Sequence, residues 1–253
     1  MRMENGKRKR SAFRLYVDYT IPPICPSCRA RLPISRPAPF CPDCLEAWEN
    51  EKRDRCKDCG LSYLDCICLP PLLKEIGIRD GIFLSAYRAG GGAVTDRLIY
   101  FVKRERDAFA FDFLARELSR PICTYLRSEE IPVESVYVVP LPRRRSAVRE
   151  NGFDQAKELA VAITYATGLT YRALFLRRFG GREQKALNAR ERLLNLKRAF
   201  LLKGSPDLSG KTILLVDDVM TTGSGLRVAT ELLLKRGAAR VIPVTVARTI
   251  DPL

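Results

Sequence analysis

The stretch Ile213–Gly225, ILLVDDVMTTGSG, reads as strand, acidic pair and turn in direct succession. Ile213–Val216 is a short apolar run of the kind a parallel strand buried on both faces requires. Asp217 and Asp218 follow at its carboxyl end, where open α/β sheets bind their ligands. Adjacent carboxylates there accept hydrogen bonds from vicinal ribose hydroxyls, so these two are the candidate catalytic residues. Thr221, Thr222, Gly223, Ser224 and Gly225 then turn the chain into a helix starting near Leu226. Backbone N–H groups at a helix start, with three side-chain hydroxyls beside them, suit a phosphate. The stretch is therefore expected to hold a phosphorylated ribose.

Two other uses of an Asp-Asp pair fit less well. A response-regulator receiver carries its pair near the start of the domain, and only 35 residues follow Asp218 here. A Walker B strand needs a P-loop upstream. The nearest candidate, Gly204–Thr212 (GSPDLSGKT), has five residues between its glycines and leads into a strand, not a helix.

Outward from this stretch the chain alternates strand and helix. Strands are expected at Gly81–Tyr87, Ser135–Val139, Tyr171–Leu176, Thr212–Asp217 and Val241–Ala247. Helices are expected at Phe153–Ala166 and Gly225–Arg236, the latter stopped by Gly237. Such alternation implies an α/β domain with a mainly parallel sheet over residues 80–253. Residues 70–80 read as a linker, and residues 1–15 as a basic flexible tail.

Eight of the nine cysteines lie in residues 20–70, spaced as Cys25-x2-Cys28, Cys41-x2-Cys44, Cys56-x2-Cys59 and Cys66-x-Cys68. A C-x2-C knuckle turns two thiolates toward one tetrahedral ion, and two knuckles complete a site. The chain has no histidine, so four thiolates are the usual closed set open to it. The natural pairing is Cys25, Cys28, Cys41 and Cys44 for one ion, and Cys56, Cys59, Cys66 and Cys68 for another. Disulfides compete poorly in a reducing compartment. Iron–sulfur ligation also uses four thiolates, but structural zinc is the favoured reading. It would stand in for the core that this proline-rich, charged segment lacks. Cys123, in the apolar run PICTYL, reads as a core residue.

The absence of histidine removes histidine bases and Ser-His triads. The net charge of +15 is concentrated: Arg143–Glu150 contributes +3 and Arg177–Arg198 contributes +6. Clustered cations imply a polyanionic partner, either phosphate esters or nucleic acid. No signal-peptide pattern and no span of about 20 apolar residues is found, so a cytoplasmic protein with no integral membrane segment is expected.

The string ILLVDDVMTTGSG resembles the signature of type I phosphoribosyltransferases, which bind 5-phosphoribosyl-1-pyrophosphate (PRPP). Joined to a double zinc ribbon, it resembles the ComF family of competence proteins, associated with bacterial DNA uptake. VVPLPRRRSAVRENGFDQAKELA resembles that family's PVP…GFNQ…LA block, with Asn151 and Asp154 where an Arg and an Asn are usual. REQKALNARERLLNLKRAF resembles its Q..L….R..N…AF block, with Gly181 where a Thr is common. The resemblance implies a type I phosphoribosyltransferase fold. Asp217 and Asp218 would hold the ribose hydroxyls and Thr221–Gly225 the 5'-phosphate, with Gly225 where a Thr or Ser is common. It further implies a pyrophosphate loop at Leu141, Pro142, Arg143 and Arg144, and a mobile loop over about Arg177–Arg198 that includes Gln184, Arg192 and Asn195. Mg²⁺ would accompany PRPP. Single-stranded DNA and the DNA-uptake machinery are the implied partners. An active Mg²⁺-dependent transferase with an unidentified acceptor is the alternative.

Overall fold

A computed structural model describes residues 22–88, 90, 92–177 and 196–250. The expected basic tail lies outside these residues, as does most of the loop after Arg177, including Gly181, Gln184, Arg192 and Asn195.

Four parallel strands lie in the order β3 (Thr170–Tyr171), β2 (Val136–Pro140), β6 (Thr212–Val216), β8 (Arg240–Val244). Three more, β1 (Ser85–Tyr87), β9 (Ala247–Thr249) and β7 (Val219–Met220), are parallel in the order β1-β9-β7. The two ladders join. Strands β6 and β8 break before β7 and β9, the first at Asp217–Asp218 and the second at Thr245–Val246. Backbone bonds cross the breaks: Asp217 N to Val244 O at 3.0 Å, Val246 N to Asp218 O at 3.0 Å, and Ile82 N to Pro243 O at 2.8 Å. The expected strands thus have counterparts, with three differences. Gly81–Tyr87 is a regular strand only over Ser85–Tyr87, and Val241–Ala247 is interrupted at Thr245–Val246. Tyr171–Leu176 splits, and β4 (Phe175–Arg177) leaves the sheet to pair antiparallel with β5 (Phe200–Leu202).

The strands are β-branched and apolar because both faces are covered. Leu214 and Val216 enter one core cluster, while Ile213 and Leu215 enter the other, as a period of two requires. The first face is covered by three helices, α3 (Val94–Arg104), α4 (Ala108–Ser128) and α6 (Gln155–Thr167); between β2 and α6 runs the short α5 (Arg145–Asn151). The other face is covered by α7 (Ser224–Leu234). Cys123 is only half-buried on α4, against the expectation of a core residue. It sits on the helix flank, while Ile122 and Leu126 turn inward.

The cysteine-rich segment shares these cores. On α1 (Pro42–Arg53), Trp48 is fully buried, its ring 5.8 Å from Phe40 and 6.0 Å from Phe113 of α4. The second four-cysteine group packs on the opposite face, where Cys56, Cys66, Tyr63 and Leu69 join Phe83 and Met220. The first knuckles of the two groups repeat one backbone: Arg29 N bonds Cys25 O and Gly60 N bonds Cys56 O, with positive φ at Arg29 and Gly60. Residues 70–80 carry the one-turn helix α2 (Pro71–Lys74), whose Leu73 is fully buried.

Candidate functional site

Strands β2 and β6 end side by side, with Pro140 opposite Val216. Everything of chemical interest follows from what comes next on each strand. After β6, the Asp217 carboxylate accepts from the Asp218 amide at 2.9 Å, and the Asp218 carboxylate accepts from the Val219 amide at 2.7 Å. These bonds pin both side chains at the break between β6 and β7. The free oxygen of Asp218 meets Arg143 Nη2 at 3.1 Å and Lys103 Nζ at 3.6 Å. Burial, then the neighbouring Asp218 charge, push the Asp217 carboxyl well above the usual carboxylate range. A group so placed gains from hydroxyl donors.

The turn after β7 starts α7 at Ser224, with Gly223 as its N-cap at φ +76°. That φ favours glycine, and a Cβ there would also approach Leu73 Cγ to 3.1 Å. Thr222 Oγ1 lies 2.9 Å from Ser224 Oγ, and both threonines are exposed. The first-turn amides of α7 and these hydroxyls face the same opening.

After β2, Leu141 donates its amide to Val216 O at 2.8 Å, which holds the start of the basic loop against β6. Pro142 O accepts from Arg177 Nη1 at 3.1 Å. Burial, then Arg144 and Arg143, bring the Arg177 guanidinium down to about 10. Three cations crowded beside one carboxylate pair make a place that an anion relieves. Leu141–Arg144, Asp217, Asp218 and Thr221–Gly225 together line one cavity of 400 Å³. The residues predicted for the ribose, phosphate and pyrophosphate positions are therefore brought to a single opening, while Gln184, Arg192 and Asn195 lie outside the described residues. Lys103 and Arg177 line it too. A second cavity of 490 Å³ shares the Pro142–Arg143–Arg177 wall and carries Arg145, Arg149, Lys157 and Lys203.

The eight cysteines gather as two groups of four, paired as the spacing implies, with all sulfurs of each group within 4.8 Å of one another. Cys28 and Cys41 sulfurs are 3.5 Å apart, as are those of Cys59 and Cys66. Thiolates 2.3 Å from a tetrahedral ion stand about 3.8 Å apart, so little adjustment is needed. Burial raises the Cys25 thiol, but amides of the Cys28 and Cys41 backbones outweigh it and bring it to about 7. Each group can hold a metal ion.

Residues 148–251 match the phosphoribosyl transferase domain family. The DNA utilization protein YhgH of Salmonella typhi is 31% identical over 91% of this chain and 99% of its own length. The chain belongs to the ComF family. The competence protein ComFC of Streptococcus pneumoniae is 26% identical, covering 83% of this chain and 87% of that one. Among solved structures, a hypoxanthine phosphoribosyltransferase of Staphylococcus aureus matches over 53% of this chain and 61% of that one, at 18% identity and a TM-score of 0.32. The fold is that of a type I phosphoribosyltransferase, with a mainly parallel sheet and the two four-cysteine groups before it. Among the described residues, no helix is long and apolar enough to cross a membrane.

Two departures, Asp154 from the ComF block and Gly225 from the phosphoribosyltransferase signature, have local explanations. Asp154 caps α6, accepting from the Lys157 amide at 3.2 Å; Asn caps a helix equally well, so the exchange keeps the role. Gly225 is hemmed in. A Cβ there would meet Leu141 Cδ2 at 3.3 Å. The buried Gln155 of the same ComF block donates to Lys103 O at 2.6 Å and ties α6 to the end of α3. Lys103 was not legible in the sequence, because VKRER reads as the solvated end of a basic helix.

Proposed function

We propose that this ComF-family chain binds PRPP, or a closely related phosphoribosyl ligand, as part of DNA uptake and utilization. The observation that carries the reading is the shared opening of Asp217, Asp218, the Thr221–Gly225 turn and the basic loop Leu141–Arg144. The carboxylates would take the ribose hydroxyls, the turn the 5'-phosphate, and the loop the pyrophosphate. Lys103 and Arg177 add positive charge on the pyrophosphate side. Mg²⁺ would accompany the ligand and neutralise part of its pyrophosphate charge. Zinc is the ion proposed for both four-cysteine groups, since a four-thiolate set with no open position suits a structural zinc.

The names of the relatives, DNA utilization and competence, supply the biological context. The second basic cavity, beside Arg145, Arg149, Lys157 and Lys203, is the proposed contact for single-stranded DNA. A cytoplasmic location fits this role. Calorimetry with Mg²⁺–PRPP against ribose 5-phosphate tests the reading. PRPP should bind the more tightly, and equal affinities would remove the pyrophosphate loop from the site. Single-stranded DNA affinity should fall with salt at about −0.7 log units per phosphate contacted; no affinity at low salt removes DNA as a partner.

Turnover is the second reading, favoured by the cations Arg143, Lys103 and Arg177 gathered where pyrophosphate would leave. Transfer needs positioning and leaving-group neutralisation more than a strong base, so the lack of histidine is no obstacle. Acceptor-dependent pyrophosphate release that disappears in Asp217→Asn/Asp218→Asn would establish it. Absence of release with a panel of bases and amines would leave binding alone.

A further inference from the structure

Two side chains outside the ligand site and outside the metal sets connect one to the other. Arg248 lies on β9 and is only 4% exposed. The register sets it between Ala86 of β1 and Met220 of β7, and Met220 is the residue before the phosphate turn. Its guanidinium turns toward the cysteines. Nη2 donates to Cys56 Sγ at 3.4 Å, and Nη1 meets Asp58 Oδ2 at 2.7 Å. The same group stands 5.7 Å over the Phe83 ring. A buried guanidinium needs anions, and Asp58 alone is half-exposed. Four thiolates around a divalent ion keep a net charge of −2, which Arg248 offsets from inside the protein.

The other connection runs through the chain that leaves the second group. Cys68 is followed by Leu69, Pro70 and α2, where Leu73 is fully buried. Leu73 and Pro70 are the side chains that a Cβ on Gly223 would meet, at 3.1 and 3.7 Å. Glu75 then pairs with Arg227 on α7. The phosphate turn thus leaves β7 directly after Met220, the register partner of Arg248, and packs against Leu73 at Gly223. The other four-cysteine group faces elsewhere, with Cys25 packed in the cluster that contains Trp48 and α4.

We propose that Arg248 and Leu73 are positioning residues through which the second four-cysteine group holds the phosphate turn, so that loss of its metal releases the phosphoribosyl ligand. Cys59 is the exposed member of that group, which gives chelators and oxidants a point of entry. Ligand affinity then follows the metal and thiol state of one group and not the other. The inference rests on the ligand reading above.

The test counts bound zinc by native mass spectrometry and measures PRPP affinity by calorimetry on the full chain. Cys59→Ser should remove one zinc and weaken PRPP about tenfold more than Cys28→Ser, the matching exposed cysteine of the other group. Equal weakening by the two would overturn the coupling. Should Cys59→Ser fail to fold, two milder variants decide. Leu73→Ala should keep both zinc ions yet weaken ribose 5-phosphate, and Arg248→Lys should speed zinc release to a chromogenic chelator. No change in either overturns the proposal. A wild-type chain that binds neither PRPP nor ribose 5-phosphate brings down the ligand reading itself, and the coupling with it. Zinc release from Arg248→Lys then still measures the thiolate contact separately.

Discussion

Arg143 reaches across from the end of β2 to Asp218 at the end of β6, with Nη2 3.1 Å from Oδ2. The proposed pyrophosphate loop is therefore tied directly to one of the two proposed ribose carboxylates. A ligand whose hydroxyls engage Asp218 must share or displace this contact, and the freed guanidinium then faces the same cavity.

That relationship predicts an asymmetric mutant. Arg143→Met should weaken PRPP by about 10–100-fold, the range expected when a charged hydrogen bond is removed. Ribose 5-phosphate, which offers nothing to the loop, should change by less than about threefold. Calorimetry with both ligands checks this, and a matching loss for the two would mean that Arg143 acts only by orienting Asp218.

The second prediction concerns pH. The Asp217 carboxyl is raised by burial and by Asp218, so it is raised above its value in the unfolded chain. A carboxyl shifted in that direction leaves stability highest below the unfolded value of about 4 and lowers it as pH rises through the folded value. Asp217→Asn removes that penalty. Its melting temperature should exceed that of the wild type by more at pH 8 than at pH 5, with about 2–4 °C for each kcal/mol relieved. The same variant should lose the phosphoribosyl ligand. A melting temperature unchanged at both pH values would show that Asp217 is not held in its protonated form.

Gly225 gives a third. Leu141 Cδ2 occupies the space that a side chain at position 225 would need. Gly225→Thr should cost about 1–3 kcal/mol, as overpacking does, and should weaken PRPP by shifting Leu141 together with its loop. Gly225→Thr/Leu141→Ala should recover part of both losses. The double-mutant cycle on urea unfolding is the measurement, and additive effects would mean that the two residues do not compete for space.

The same residues show where a sequence stops being readable. The pattern ILLVDDVMTTGSG is local: a buried strand, the break after it and the helix start all lie within 13 residues, so the site's centre was legible in order. The cysteine pairs were legible for a similar reason, since C-x2-C fixes two ligands within one turn. Lys103 and Arg248 were not. Each gains its meaning from a partner far along the chain, Asp218 for one and Cys56 for the other. Helix α4 was missed as well, because Pro121 lies inside it and a proline there removes a backbone donor. Its apolar residues still pack well enough to outweigh that loss, with Leu114, Leu118 and Ile122 fully buried.

Helix α4 also carries the last prediction. Glu117 accepts from Trp48 Nε1 at 3.2 Å and pairs with Lys52, itself 6% exposed. One carboxylate thus serves both buried polar groups that α1 brings to the interface. Removing it strands a cation under the cysteine-rich segment, and an unpaired buried charge costs about 3–5 kcal/mol. Glu49 also contacts Lys52 at 2.8 Å and is partly exposed, so the loss for Glu117→Ala should fall at the lower end, about 3 kcal/mol. Glu117→Gln keeps an acceptor for Trp48 and should lose less. Lys52→Met/Glu117→Leu should recover most of the loss, because replacing both partners with apolar side chains leaves no charge behind. Urea unfolding of the zinc-loaded chain, followed by Trp48 fluorescence, reports directly on this contact. Trp48 is the chain's one tryptophan, so the signal has a single origin. If Glu117→Ala unfolds at the wild-type midpoint, the ion pair does not hold α1 to α4, and the rings of Phe40, Trp48 and Phe113 hold it alone.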